Sequence, residues 1–385
     1  MGTIRAAFFL IGTTVGAGFL TGAELVRFFG GAGMFALLFA CGLQFAFGIV
    51  FLLLGKKYGG CREAMCALFG RGGKIVYCLL LALTFLPCAG MLAGLDALLP
   101  NYAPLPSALG LSVVLIFLCR GLKGVGALNT ALVPFLVALI FLTGTGAPPF
   151  FAFTNGAWDA ALYAGMNVAF SAPALMDAGR EMRTPVRSCA LAAACIFACG
   201  TYILAGIRAA GDAALAFPMP YLTVIRGRRV FAVAIACSVL TALSSALFPL
   251  FSACDRLGPH KNAARIFVLL AAFTLSRIGL ENVIDIFYPI AGGIGLAFSV
   301  VCILDEYLFQ QHHKGVHSRR KQAKNKGRTH DKVELENLPA VDDEVSQSRP
   351  RDDVLAHDGS DPCHSHIDFE HGDDGRIGGR DNQFP

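Results

Sequence analysis

Charge is what this chain has least of before residue 310. Only 15% of its 385 residues are Asp, Glu, Lys or Arg, against 55% hydrophobic, and the charges crowd into short segments between apolar blocks and into the stretch after Gln311. It carries no GxxxxGK[ST] loop, which argues against ATP-driven chemistry within the chain. Asp96 and Asp285 lie in no recognisable paired-acid motif, so an intramembrane aspartyl protease is not expected, and no other enzyme is indicated. The first apolar run lacks a small-residue cleavage site followed by a soluble domain, so no cleavable signal is expected. The opening Met1-Gly2-Thr3-Ile4-Arg5-Ala6 lacks the Ser or Thr of a myristoylation signal. Thirteen cysteines are present, but most are scattered through apolar blocks (Cys41, Cys78, Cys88, Cys119, Cys195, Cys199, Cys237, Cys302) and read as small buried thiols rather than disulfides. Cys61 and Cys66 sit in an expected loop with no histidine nearby, so no transition-metal site is expected there. No nucleic-acid partner is expected.

What the chain has instead is apolar blocks near the length a helix needs to cross a bilayer core. Ten are read, at roughly 5–29, 33–54, 74–99, 105–120, 127–146, 158–179, 188–209, 229–254, 263–279 and 283–308. Irregular backbone cannot face lipid, so each is expected to be a helix. The fold class is therefore an all-α integral membrane protein, with membrane lipid as an obligatory partner. A transporter-like domain spans 1–310. Residues 311–385, with dense charge of both signs and few apolar residues, read as a disordered cytoplasmic tail. Its basic start, 319–328, is a solvated stop or a contact for anionic headgroups. Cys363, His364, His366 and His371 form a polar cluster without fixed geometry.

Basic residues set the orientation. Lysines and arginines cluster at 56–74, 120–123, 180–187 and 256–265, while the alternate loops hold Arg27, Arg208, Arg226, Arg228, Arg229 and Arg277. The richer side is the inside, which places both termini in the cytoplasm and the protein in the cell membrane.

The first block contains IGTTVGAGFLTGAEL, residues 11–25, with glycines at 12, 16, 18 and 22 and two adjacent threonines. That is a poor place to keep a helix continuous. An interrupted helix frees backbone N–H and C=O groups that must be satisfied. Half-helix ends satisfy them with ligands: N–H groups meet an anion and carbonyls meet a cation. Inverted-repeat transporters use this device twice, so a second interruption is expected in the sixth block. There, Gly165, Asn167, Ser171 and Pro173 occur within YAGMNVAFSAPAL. The eighth block, LTALSSALFPLF, sets Thr241, Ser244 and Ser245 about one turn apart, oxygen ligands of the kind a small hard cation takes.

GTTVGAGFLTGAELVRFF (12–29), with YAGMNVAFSAPAL, resembles the amino acid–polyamine–organocation superfamily with its LeuT-type fold, and within it the bacterial YkvI-like membrane proteins. The resemblance spans about residues 4–308. It implies ten helices in a five-plus-five inverted repeat with broken helices 1 and 6. It also implies a sodium site built from the carbonyls of Gly12, Val15 and Thr241 and the hydroxyls of Ser244 and Ser245. A substrate's charged head would lie against Gly16, Ala17 and Gly18, with Asn167, Ala169, Phe170 and Ser171 completing the pocket. Phe19 stands where relatives with a second sodium site carry an amide, which speaks against a second sodium.

The expected function is secondary active transport of a small amino acid or related zwitterion, with sodium as coupling ion and no other cofactor. Proton coupling is the alternative, and Glu24 is its candidate proton or gate residue. A lysine cannot stand in for the sodium ion mid-chain, since none occurs between Lys123 and Lys261. Asp96 is a further acid near membrane depth. A ligand sensor signalling through the tail is the third reading, and deletion of 312–385 separates it from a transporter.

Overall fold

The computed structural model describes residues 1–144, 147–148, 156–225 and 227–305, with the backbone alone for Arg228. The expected tail 311–385, its basic start and its Cys363–His371 cluster lie outside the described residues. So do Arg226 and the ends of two expected spans, 145–146 and 306–308.

Every regular element among the described residues is helical. The first apolar block forms three pieces, α1 (Thr3–Thr14), α2 (Ala17–Thr21) and α3 (Ala23–Phe29). There follow α4 (Gly33–Tyr58), α5 (Cys61–Phe69), α6 (Gly73–Leu83), α7 (Phe85–Leu98), α8 (Leu105–Leu118) and α9 (Gly121–Thr143). Next come α10 (Ala157–Gly179), α11 (Pro185–Ala209), the short α12 (Asp212–Leu215), α13 (Arg228–Asp255) and α14 (Lys261–Leu275). The last helix, α15, runs Leu280–Asp305 and includes a π turn at Val283–Phe287. Six helical stretches are long and apolar enough to cross a membrane: Gly33–Tyr58, Cys61–Leu98, Gly121–Thr143, Pro185–Ala209, Arg229–Asp255 and Leu280–Asp305. Thr3–Thr14 and Leu105–Leu118 are shorter apolar helices. The chain is a multi-pass membrane protein.

Small residues bring these helices together, as expected where no hydrophobic force acts between helices in lipid. α4 and α10 meet over their length. At one crossing a Cβ on Gly55 would stand 1.9 Å from the Met176 carbonyl oxygen, and one on Gly179 would stand 2.3 Å from that of Leu52. α10 lies equally close to α15. A Cβ on Gly165 would sit 2.3 Å from the Gly292 oxygen, and one on Gly295 would sit 1.9 Å from the Gly165 oxygen. α1 is held on α9, α11 and α13.

The segment holding Cys61 and Cys66 is a helix, α5, rather than the expected loop. Its first N–H, from Cys61, donates to Asp177 Oδ1 at the end of α10 (2.9 Å), which satisfies one of the orphan donors of a helix start. Arg256, just past α13, donates to Glu63 Oε1 at 2.7 Å. A segment that reads as a charged connection is thus stapled through its first turn to both α10 and α13. At the opposite end of the first block, Arg208 donates to the carbonyls of Phe29 (3.3 Å) and Gly30 (2.6 Å), capping α3 with a cation as a helix C-terminus favours.

Candidate functional site

The first helix stops where its glycines and threonines predict a weak point. Val15 has φ −83° and ψ 87°, and Gly16 is extended at φ −104° and ψ −168°. The Gly16 N–H turns to the Thr14 carbonyl (3.1 Å) instead of that of Gly12. The Ala17 N–H donates to the Met91 sulfur on α7 (3.1 Å) instead of to the carbonyl of Thr13. Gly12 and Thr13 therefore lose their helical partners at this depth. α2 then ends at Gly22, whose φ of +81° is left-handed and favours glycine, and α3 restarts the helix.

Three elements converge on this gap. Gly12 of α1 faces both α9 and α13: a Cβ there would stand 1.8 Å from Asn129 Oδ1 and 3.2 Å from Thr241 Cβ. On α13 the hydroxyls of Ser244 and Ser245 each donate to the Thr241 carbonyl at 2.9 Å, and Thr241 Oγ1 donates back to Cys237 and Ser238. Of the expected cation ligands, Gly12, Thr241 and Ser245 are brought together, linked by Asn129, whose Nδ2 donates to Ser245 Oγ at 3.3 Å. Ser244 is tied to the same Thr241 carbonyl, and Val15 is the last residue before the break. All five expected positions are buried. Among the described residues no group of three or more His, Cys, Asp or Glu offers a metal site, so the oxygens here are carbonyls, hydroxyls and an amide. That donor set fits a monovalent hard cation better than a divalent one, which draws on carboxylates.

The sixth block differs from expectation. α10 is continuous from Ala157 to Gly179, with Pro173 inside it. Its polar residues serve the helix itself: Asn167 Nδ2 donates to the Tyr163 carbonyl (3.0 Å) and Ser171 Oγ to that of Asn167 (2.7 Å). Such back-bonding holds the local carbonyls within the helix, and Gly165 is spent on the crossing with α15 rather than on a break. The expected substrate residues accordingly divide. Gly16 and Ala17 face α7, where a Cβ on Gly16 would meet Met91 Cε at 2.0 Å and one on Gly94 would meet Ala17 Cβ at 2.6 Å. Gly18 faces Glu24. Ala169 packs toward Gly295, and the Phe170 ring meets Tyr288 edge-on at 5.2 Å. Asn167 and Ser171 line a crevice with Thr13, Thr14 and Gln44, in which about 40 Å³ is open. That is space for water or an ion rather than for an amino acid.

Glu24 is buried within the first block, its carboxyl lying where a Cβ on Gly18 would come within 2.1 Å of Oε1. Arg27, its nearest arginine along the chain, pairs with Asp285 instead (3.6 Å). Asp96 has a different place. Oδ1 accepts from the Ser107 backbone (3.0 Å), and Oδ2 accepts from the Ser107 hydroxyl (3.0 Å) and from Arg277 (3.1 Å). It ties the end of α7 to the start of α8 and to the turn after α14. Asp96→Ala is expected to cost about 1–3 kcal/mol of stability, seen as a lower unfolding temperature.

Sequence reasoning missed Asn129 and Met91. Asn129 had a signal, a single amide in the apolar run 127–146; Met91 had none, being one more apolar residue on its helix.

No family model matches the chain. It is 26% identical over 331 residues, 76% of this chain and 93% of the relative, to the uncharacterized membrane protein YkvI of Bacillus subtilis (strain 168). Its fold is similar to that of MhsT in complex with L-phenylalanine, with a TM-score of 0.55 at 16% identity over 78% of this chain and 88% of that one. The protein has the LeuT-type fold. The same architecture appears in a substrate-bound, outward-open Na+-coupled sialic acid symporter (TM-score 0.51, 12% identity, 79% of this chain and 78% of that one). The one of these three with a named activity is a symporter, not an enzyme. In this LeuT-type chain the interrupted first helix lies between α7, α9 and α13.

Proposed function

We propose that the protein is a secondary active transporter that carries a small amino acid or related zwitterion by alternating access and is driven by sodium. The observation that carries this reading is the gap at Val15–Gly16. Gly12, whose carbonyl is freed there, packs against Asn129 and Thr241, and the freed N–H of Ala17 reaches only a thioether sulfur, a weak acceptor. A cation at Gly12, Val15, Thr241, Ser244 and Ser245 and a carboxylate at Gly16, Ala17 and Gly18 each supply what the backbone lacks. The likeness to structures that bind L-phenylalanine and sialic acid supports a small-molecule substrate, and the symporter among them supports sodium.

In this reading α1–α3, α4, α6–α7, α8 and α9 form the first five spans. α10, α11, α13, α14 and α15 form the inverted second five, with both termini in the cytoplasm. The small crevice at Asn167 and Ser171 means that an amino acid enters only when α10 and the first helix part from their neighbours, which is the movement alternating access requires. Glu24, buried beside Gly18, supports a second reading in which a proton replaces sodium as the driving ion.

The test is thermal unfolding of the purified protein against a panel of amino acids in sodium or in potassium at equal ionic strength. A ligand at 100 times its dissociation constant stabilises by roughly 2.7 kcal/mol. The expected result is a shift that needs one amino acid and sodium together and is lost in Ser245→Ala. A shift that ignores sodium, follows pH and is lost in Glu24→Gln would replace sodium by protons. No shift with any amino acid would remove the transport reading.

A further inference from the structure

Asn129 is fully buried in the middle of α9, and its amide is only half used. Nδ2 donates to the Val125 carbonyl (2.9 Å) and to Ser245 Oγ (3.3 Å). Those two bonds decide which way the amide faces. A backbone carbonyl can only accept, and Ser245 spends its own proton on Thr241, so the nitrogen must lie on that side. Oδ1 is thereby turned to the Gly12 backbone, where it has no hydrogen-bond partner. A buried carboxamide oxygen with both lone pairs unused is unfavourable by about 1–3 kcal/mol, and native structures seldom leave one so.

The surroundings say what would satisfy it. Gly12 has lost its helical N–H partner, the Ser245 hydroxyl and the Thr241 carbonyl are bonded to one another on the neighbouring helix, and no donor is directed at Oδ1. The donors here are already spent within the junction, so Oδ1 and the Gly12 carbonyl are left as acceptors that a cation would complete. No carboxylate takes part, which favours one positive charge over two. The tightness at Gly12 belongs to the same arrangement, since only a residue without Cβ lets Oδ1 come this close to the backbone of α1.

We infer that Asn129 is a ligand of the coupling cation, its Oδ1 adding a third helix to a site otherwise built from α1 and α13. This rests on the sodium reading above and extends it. Because α9 then holds the ion together with α1 and α13, sodium binding fastens three elements at once, and release of the ion frees the first helix from two neighbours rather than one.

The experiment measures the unfolding temperature of the full-length protein against sodium concentration, with potassium keeping ionic strength constant, for wild type, Asn129→Leu and Asn129→Asp. Leu keeps the volume and removes the oxygen; Asp keeps the oxygens and adds charge. Asn129→Leu is expected to raise the half-saturating sodium concentration at least about tenfold, and Asn129→Asp to lower it, a change of sign that loss of packing alone would not produce. If Asn129→Leu does not fold, the direction of the Asn129→Asp shift decides. Variants that saturate at the wild-type concentration would overturn the role of Asn129 while leaving sodium coupling in place. A wild type that ignores sodium would overturn the coupling reading, and this inference with it.

Discussion

Gly12→Ala is expected to abolish the sodium response. The new methyl would be placed 1.8 Å from Asn129 Oδ1 and 2.8 Å from its Cγ, with Thr241 Cβ 3.2 Å away on the other side. Asn129 cannot yield in place, because Nδ2 is bonded to Val125 and Ser245. Either the amide rotates away from the junction or α1 separates from α9. Overpacking of this kind typically costs about 1–3 kcal/mol, so the variant should unfold at a lower temperature than wild type and show no further stabilisation by sodium. Combining it with Asn129→Ala removes the clash. The double variant is expected to recover much of the lost unfolding temperature but none of the sodium response. Recovery of both would mean that Asn129 and Gly12 meet only as packing.

Gly165→Leu is expected to prevent accumulation of folded protein. Its Cβ would meet the Gly292 carbonyl oxygen at 2.3 Å and the Leu296 nitrogen at 2.8 Å. Both are backbone atoms of α15, so no side chain can move aside to make room. The reciprocal contact is as close, with a Cβ on Gly295 standing 1.9 Å from the Gly165 oxygen. Relief requires α10 and α15 to part along their crossing, and such damage falls among the exceptional substitutions costing more than about 4 kcal/mol. The measurement is the monodisperse fraction after extraction and size-exclusion chromatography. Were Gly165 instead the flexible point of a broken helix, Gly165→Leu would fold and fail only in transport, and that result would restore the sixth-block break.

These two glycines show how far local composition reaches. Gly12 lies in a stretch whose glycines and threonines predict a weak helix, and the helix does stop three residues later, at Val15. The signal works there because several helix-weakening residues act on the same short segment, with no neighbour needed to explain them. Gly165, Asn167, Ser171 and Pro173 carry the same composition, yet α10 runs through them. The glycine is there for a neighbouring helix, and the amide and hydroxyl turn back onto their own helix. Nothing along the chain separates a glycine that interrupts a helix from one that lets another helix approach.

The acids repeat the point. Asp96 reads as a functional candidate from its depth or as an interfacial residue from the Pro100 and Asn101 that follow, and the fold makes it a tie among Ser107, Arg277 and the end of α7. Asp177, near a span end, reads as solvated or paired there, and the fold pairs it with the first N–H of α5.

From the sequence alone came the membrane, the helical class, the approximate apolar blocks and the weak point in the first helix. Each follows from composition acting over a turn or a span, where the solvent and the backbone's own hydrogen bonds decide the outcome. Which oxygens share a junction, and which glycines are contact points, was decided only by tertiary structure. Asn129 lies 117 residues from Gly12 and 116 from Ser245 along the chain, and its chemistry exists only because α1, α9 and α13 bring the three together.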